Sequence, residues 1–173
     1  MIFRAKGVSY QVEPLAPHHD RSAFSCGVIA LDLYLQRQAR QDAERKLAAI
    51  SVLTSDSKSI AGFYTLSANS ILASELPEAQ AKKLPRFPLP VTLLGRMAVS
   101  QHLQGHGAGQ FLLTHALDRT CAGAKQIASW AVVVDAKDGA LDFYLKNGFI
   151  QLPSSRSRLF LSLATIERAR SAS

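Results

Sequence analysis

VTLLGRMAVSQHLQGHGAGQFLLTHALDRTCAG, residues 91–123, decides the fold. VTLLGRMAV (91–99) is β-branched and apolar enough to read as a strand, and QFLLTHALDRTCAG (110–123) reads as a helix from its three- and four-residue apolar spacing. Between them Gly105, Gly107 and Gly109 stand at alternate positions. Such glycines let the backbone approach a ligand closely, and the following helix offers unpaired N–H groups and the positive end of its dipole. This arrangement suits a pyrophosphate, and the same glycines also serve a tight strand-to-helix turn. Two familiar phosphate loops are excluded by the residues. A Walker loop needs Gly-Lys-Ser/Thr, but Gln110 and Phe111 follow Gly109; a dinucleotide fingerprint begun at Gly105 needs a third glycine where Gln110 stands.

Downstream, Ile127–Asp135 reads as a buried strand, AKDGALDFYLKN (136–147) as a helix closed by Gly148, and Phe149–Leu152 with Arg158–Leu163 as a closing pair of strands. Upstream, Tyr10–Leu15 reads as the first strand. VIALDLYLQRQARQDAERK (28–46) follows as an amphipathic helix, with Leu31, Leu35 and Ala39 on one face and Arg37, Arg40 and Arg45 away from it. AAISVLTS and IAGFYTLSA, separated by SDSKS, read as a hairpin. Ile71 to Pro90 is a long connection around the short polar helix PEAQAKK, and connections of that length tend to carry function. No repeat or linker divides the chain, so a single domain over residues 1–173 is expected, with a frayed tail from about 166.

With 47% hydrophobic and 19% charged residues, the 173-residue chain has the balance of a packed globule, which excludes disorder for most of it. Its purely apolar runs, such as Trp130–Val134, fall far below the ~18 residues of a membrane helix. No apolar segment follows the basic N-terminus, so neither membrane nor secretory routing is expected, and the cytoplasm is the expected location. Two cysteines, Cys26 and Cys121, make neither a disulfide framework nor a Cys-based zinc site, and are expected as buried apolar thiols. His102 and His106 have a metal-compatible spacing for a helix, but Gly105 and Gly107 make this a loop; His18-His19 has no evident carboxylate companion and reads as a solvated turn. No metal site is expected. The net charge of +7 is spread over the chain, with 11 basic and 8 acidic residues up to Pro90 and 9 and 5 beyond it. Diffuse positive charge attracts polyanions such as nucleic acid, and also simply keeps a protein soluble.

Gln104 through Gly109 fits the Q/R-x-x-G-x-G/A pattern of the GNAT acetyltransferases, between a strand and a helix as that family requires. FSCGVIALDLYLQRQA, GFYTLSANSI, PRFPLPVTLLGRMAV, VVVDAKD and FYLKNGF extend the likeness from about Phe24 to Ala164. The combined set resembles the GNAT toxins of type II toxin–antitoxin systems. The resemblance implies an α/β GNAT fold: a mixed, mostly antiparallel central sheet flanked by helices and splayed at the acetyl-CoA site. It also implies acetyl-CoA as co-substrate, with its pyrophosphate on the loop amides of Gln104, Gly105, His106, Gly107, Ala108, Gly109 and Gln110. The pantetheine arm would run along the backbone of Met97, Ala98 and Val99, the strands diverging past Val99 and Val134. Phe143 and Asp135 are further candidate cofactor contacts, Asp135 serving equally as a helix cap.

Tyr144, in Phe143-Tyr144, is the implied catalytic residue. A phenol with reference pKa about 10 can donate a proton or hydrogen bond to a departing thiolate of about 8.5; the same residue also reads as a core aromatic. No His or Glu stands out as a general base, which favours an α-amine acceptor, already partly deprotonated near neutrality, over lysine at about 10.4. The implied acceptor is aminoacyl-tRNA, whose acetylation blocks translation. Arg37, Arg40, Arg45, Lys82, Lys83 and Arg86 are candidate RNA contacts. A ribbon-helix-helix antitoxin is the implied partner, and a homodimer is compatible with the sequence. The alternatives are a GNAT acting on a small-molecule amine or a protein, and a non-catalytic basic RNA- or phosphate-binding module.

Overall fold

A computed structural model describes residues 1–137 and 139–172. Asp138, part of the VVVDAKD motif and of the helix expected from 136, and Ser173 lie outside the described residues. The chain forms two compact units, residues 1–67 with 95–116 and residues 68–94 with 117–173.

In the first unit, β1 (Phe3–Ala5) and β2 (Val8–Pro14) form an antiparallel hairpin. Its turn residues Lys6 and Gly7 both have positive φ, 51° and 76°, the geometry that matches strand twist in a two-residue turn. β2 pairs antiparallel with β3 (Ala49–Thr54), and β3 with β4 (Gly62–Ile71), so the hairpin read from the sequence forms. The amphipathic helix is broken into α1 (Ile29–Leu33), one π-turn (Tyr34–Gln38) and α2 (Ala39–Glu44). The wider turn lets the adjacent Tyr34 and Leu35 both face the core. There they pack with Phe24, Cys26, Ala39, Ile50, Val52, Phe63 and Ala98.

In the second unit, residues 91–94 of β5 (Leu89–Val99) pair parallel with β6 (Ala131–Asp135), and β6 pairs antiparallel with β8 (Ser155–Ser162), which has β7 (Ile150–Leu152) on its other side. Its core holds Ile71, Leu76, Leu89, Val91, Ala131, Val133, Leu152 and Phe160. The eight strands follow the order β1-β2-β3-β4-β5-β6-β8-β7, mixed and mostly antiparallel as expected. The long connection holds α3 (Glu78–Ala81), and α4 (Ala108–Gly123) follows the glycine loop.

Several boundaries differ from the sequence reading: the helix expected over 136–147 is α5 (Leu141–Lys146), and the strand expected at Arg158–Leu163 is β8, which starts at Ser155. The buried strand starts at Ala131, not Ile127: backbone bonds from Gln126 and Ile127 to the Gly123 carbonyl keep the chain winding past α4, and Ile127 is 82% exposed. The tail expected to fray is the second half of a helix, α6 (Leu163–Ser171), whose start is capped by the Ser162 hydroxyl accepting from the Thr165 amide.

Candidate active site

The glycine loop is built to leave amides unspent. Gly105 and Gly107 have φ of 80° and 87°, a backbone region costly for residues with a Cβ. The first helical bond of α4 runs from the Phe111 amide to the Gly107 carbonyl, 3.1 Å. The N–H groups of Gly105 to Gln110 therefore precede the hydrogen-bond ladder, and none of them has a partner among the described residues. Six successive amides at the N-terminus of a 16-residue helix make an anion cradle. Gln104 does not join them. Its amide donates to the Gln101 carbonyl at 3.4 Å, and its side-chain Nε2 donates to the carbonyls of Val99 (2.9 Å) and Cys26 (2.7 Å). Gln104 thus ties the loop to the end of β5 and to the segment leading into α1, a role the motif did not reveal.

Pairing between β5 and β6 ends before the divergence expected past Val99. The β5–β6 ladder ends at Leu94 opposite Val134, while β5 itself runs on to Val99. The next residues explain the break. The Arg96 amide donates to Thr65 Oγ1 at 3.0 Å, a side-chain oxygen taking the place of a strand carbonyl, and a Cβ at Gly95 would lie 3.0 Å from that same oxygen. Glycine at 95 and threonine at 65 form a local irregularity where strand pairing terminates. Beyond it Ala98 is buried, whereas Met97 and Val99 are half-buried.

Tyr144 sits in α5 (Leu141–Lys146), fixed by the way that helix ends. Gly148 has φ 88°, its amide donates to the Leu145 carbonyl, and the Phe149 amide donates to the Tyr144 carbonyl, both at 3.1 Å. This pair of bonds is the Schellman closure, and its usual apolar contact is the Tyr144 ring against Phe149, centroids 5.4 Å apart. Phe143 is half-buried and packs edge-on against Tyr144 at 5.2 Å. Tyr144 is only 7% exposed, and burial pushes its phenol up to about 12. Its hydroxyl makes no hydrogen bond among the described residues, so desolvation acts on the phenol unopposed. Gly148→Ala should lower stability by roughly 1–2 kcal/mol, read as a reduced denaturation midpoint, because alanine at positive φ strains the closure.

Asp135 neither caps α5, which starts at Leu141, nor presents a free carboxylate. Arg158, directly opposite on β8, grips it through Nε (2.9 Å) and an Nη (3.1 Å). These bonds hold the Asp135 carboxyl below its ordinary range. A depressed native pKa stabilises above the unfolded value of about 3.9, and the contribution fades as pH falls through the native value. Arg158→Ala should accordingly cost ~0.2–1 kcal/mol at pH 7 and shrink the acid-dependent loss of stability, since the pair is partly exposed.

Of the basic candidates, Arg37, Arg40 and Arg45 lie exposed in the first unit, and Lys82, Lys83 and Arg86 lie exposed in the second. Arg40 is engaged by Glu44 at 2.8 Å. Both cysteines are buried, and desolvation raises both thiols, against a nucleophilic role. The expectation for His19 is corrected: it is buried, its Nδ1 accepts from the Ala16 amide at 3.0 Å, and its Nε2 lies 2.9 Å from Glu13 Oε1. This carboxylate stands only six residues upstream, at the end of β2, and the bend that follows the strand brings it to the ring. Although Glu13, His18 and His19 cluster, the accepted bond at Nδ1 leaves the His19 proton on Nε2, so this nitrogen donates to Glu13 and is not a free ligand.

Comparison with known proteins identifies the family. The acetyltransferase (GNAT) domain matches residues 48–151. A tRNA-acetylating toxin of Mycobacterium tuberculosis is 33% identical over 143 residues, covering 82% of this chain and 85% of the relative. Among solved structures, AtaT complexed with acetyl-methionyl-tRNAfMet superposes with a TM-score of 0.87 at 27% identity, covering 93% of this chain and 99% of that one. A mutant AtaT toxin bound to the C-terminus of the antitoxin AtaR and acetyl-CoA gives 0.80 at 25% identity, covering 93% and 98%. No helix among the described residues is long and apolar enough to cross a membrane. On the matched domain and the near-full-length relatives, the chain belongs to the GNAT family of acetyltransferases.

Proposed function

We propose that this protein is a cytoplasmic toxin that transfers acetyl from acetyl-CoA to the α-amino group of aminoacyl-tRNA, blocking translation until a cognate antitoxin, of ribbon-helix-helix type, silences it. The observation that carries this reading is the likeness, over almost the whole chain, to AtaT complexed with acetyl-methionyl-tRNAfMet. The unspent amides of Gly105 to Gln110 suit the pyrophosphate of acetyl-CoA, which supplies the acetyl group as an activated thioester. The backbone of Met97, Ala98 and Val99 lines the pantetheine arm, with the Val99 amide stabilising negative charge on the acetyl oxygen. Tyr144 stabilises the departing sulfur. A phenol near 12 lies ~3.5 units above a thiol, so full proton transfer to the thiolate would be uphill by ~5 kcal/mol. Tyr144 therefore donates a hydrogen bond and keeps its proton. An α-amine needs no strong base, in keeping with its partly neutral form at pH 7.

A cell-free translation reaction tests the reading. Purified protein should arrest synthesis only when acetyl-CoA is supplied, and the Tyr144→Phe variant should leave synthesis running. Arrest without acetyl-CoA, or equal arrest by both proteins, would contradict acetylation as the toxic act.

A further inference from the structure

We propose that Arg96 binds a phosphate of the acceptor nucleic acid. This rests on aminoacyl-tRNA being the acceptor. Arg96 is the lone charge in the apolar strand sequence LLGRMAV, and it is exposed. Its guanidinium carbon lies 3.7 Å from the centroid of the Tyr34 ring. That ring is itself fixed: Tyr34 is buried in the π-turn, and its hydroxyl donates to Asp42 Oδ2 at 2.8 Å. The backbone of Arg96 is held as well, through its amide bond to Thr65 Oγ1. No carboxylate pairs with the guanidinium, and it makes no side-chain hydrogen bond among the described residues.

Stacking uses the face of a guanidinium and leaves its N–H edges free, oriented for the two-pronged recognition that phosphate oxygens accept. An arginine held this way loses little freedom on binding, unlike a flexible surface lysine. It also stands three residues before Val99, about 10 Å along the strand, a length that one aminoacylated nucleotide spans from phosphate to amine. The π-turn, an irregularity often found at functional sites, is what brings Tyr34 under this cation.

Steady-state kinetics of the full chain, with charged tRNA varied over a salt series, test the inference, with acetyl-CoA affinity measured by calorimetry. Arg96→Gln should raise KM for charged tRNA about tenfold or more and reduce the slope of log affinity against log salt by about one, because one phosphate contact is lost. Its acetyl-CoA affinity should match wild type. Arg96→Lys, which keeps the charge without the planar fork, should restore the slope and only part of the affinity. An unchanged KM and slope in Arg96→Gln, while wild type acetylates charged tRNA, would overturn this inference and leave the functional reading standing. A lowered kcat at unchanged slope would also overturn it, by making Arg96 structural. A wild-type protein that acetylates no charged tRNA would overturn the functional reading and this inference with it.

Discussion

Replacing Tyr144 with phenylalanine is expected to lower turnover by ~10²–10⁴-fold while leaving acetyl-CoA affinity close to wild type. The ring supplies the packing: it lies against Phe143 and Phe149, and its backbone carbonyl takes one of the two bonds that close α5. Phenylalanine preserves all of this. The variant removes only an oxygen that has no partner among the described residues, so the fold loses no hydrogen bond and stability should change little. Because burial carries the phenol to about 12, Tyr144 stays protonated throughout any practical assay range. Wild-type kcat should therefore show no falling alkaline limb assignable to this residue below about pH 10. Purified Tyr144→Phe with wild-type turnover would require another donor to the sulfur.

Gly107→Val should cut acetyl-CoA affinity by roughly ten- to a hundredfold in a protein that still folds. At φ 87° a β-branched residue is strained by ~1–3 kcal/mol, and each ~1.4 kcal/mol is tenfold in affinity. Space is not the obstacle, because the nearest atom to a Cβ there is Phe3 Cε2 at 3.9 Å. The strain is relieved by turning the peptide planes of the loop, which redirects the amides at 107 to 109 away from a shared ligand. Calorimetry on a variant with a native circular-dichroism spectrum measures the effect, and unchanged affinity would remove the pyrophosphate from this loop.

The parts of the molecule that were legible in the sequence are those governed by local patterning. Alternation gave β3 and β4, helical spacing gave α4, and a glycine after an apolar helical run marked the end of α5 at Gly148. Features set by partners distant in sequence were not legible. Gln104 reads as one more loop amide for the pyrophosphate until the fold brings the Cys26 carbonyl within 2.7 Å of its side chain, whereas His19 reads as a solvated turn although the Glu13 that meets it stands only six residues away. Spacing also misplaces what an inserted residue shifts. A period of 3.6 through residues 28–46 conceals the π-turn that buries Tyr34 and Leu35 side by side, and with it the platform under Arg96. The β1–β2 hairpin is not legible because Lys6 is an uncommon residue at positive φ, so only Gly7 announces the turn.

Acetylation of the α-amine of aminoacyl-tRNA is the central claim, and its most direct test is to incubate the purified protein with labelled acetyl-CoA and total charged tRNA, alongside the same tRNA stripped of its amino acids. The account predicts label on the charged tRNA alone, released together with the amino acid when the ester is hydrolysed and absent with Tyr144→Phe. Equal label on both tRNA samples, or label on neither while a free amine or a protein is acetylated, would contradict it.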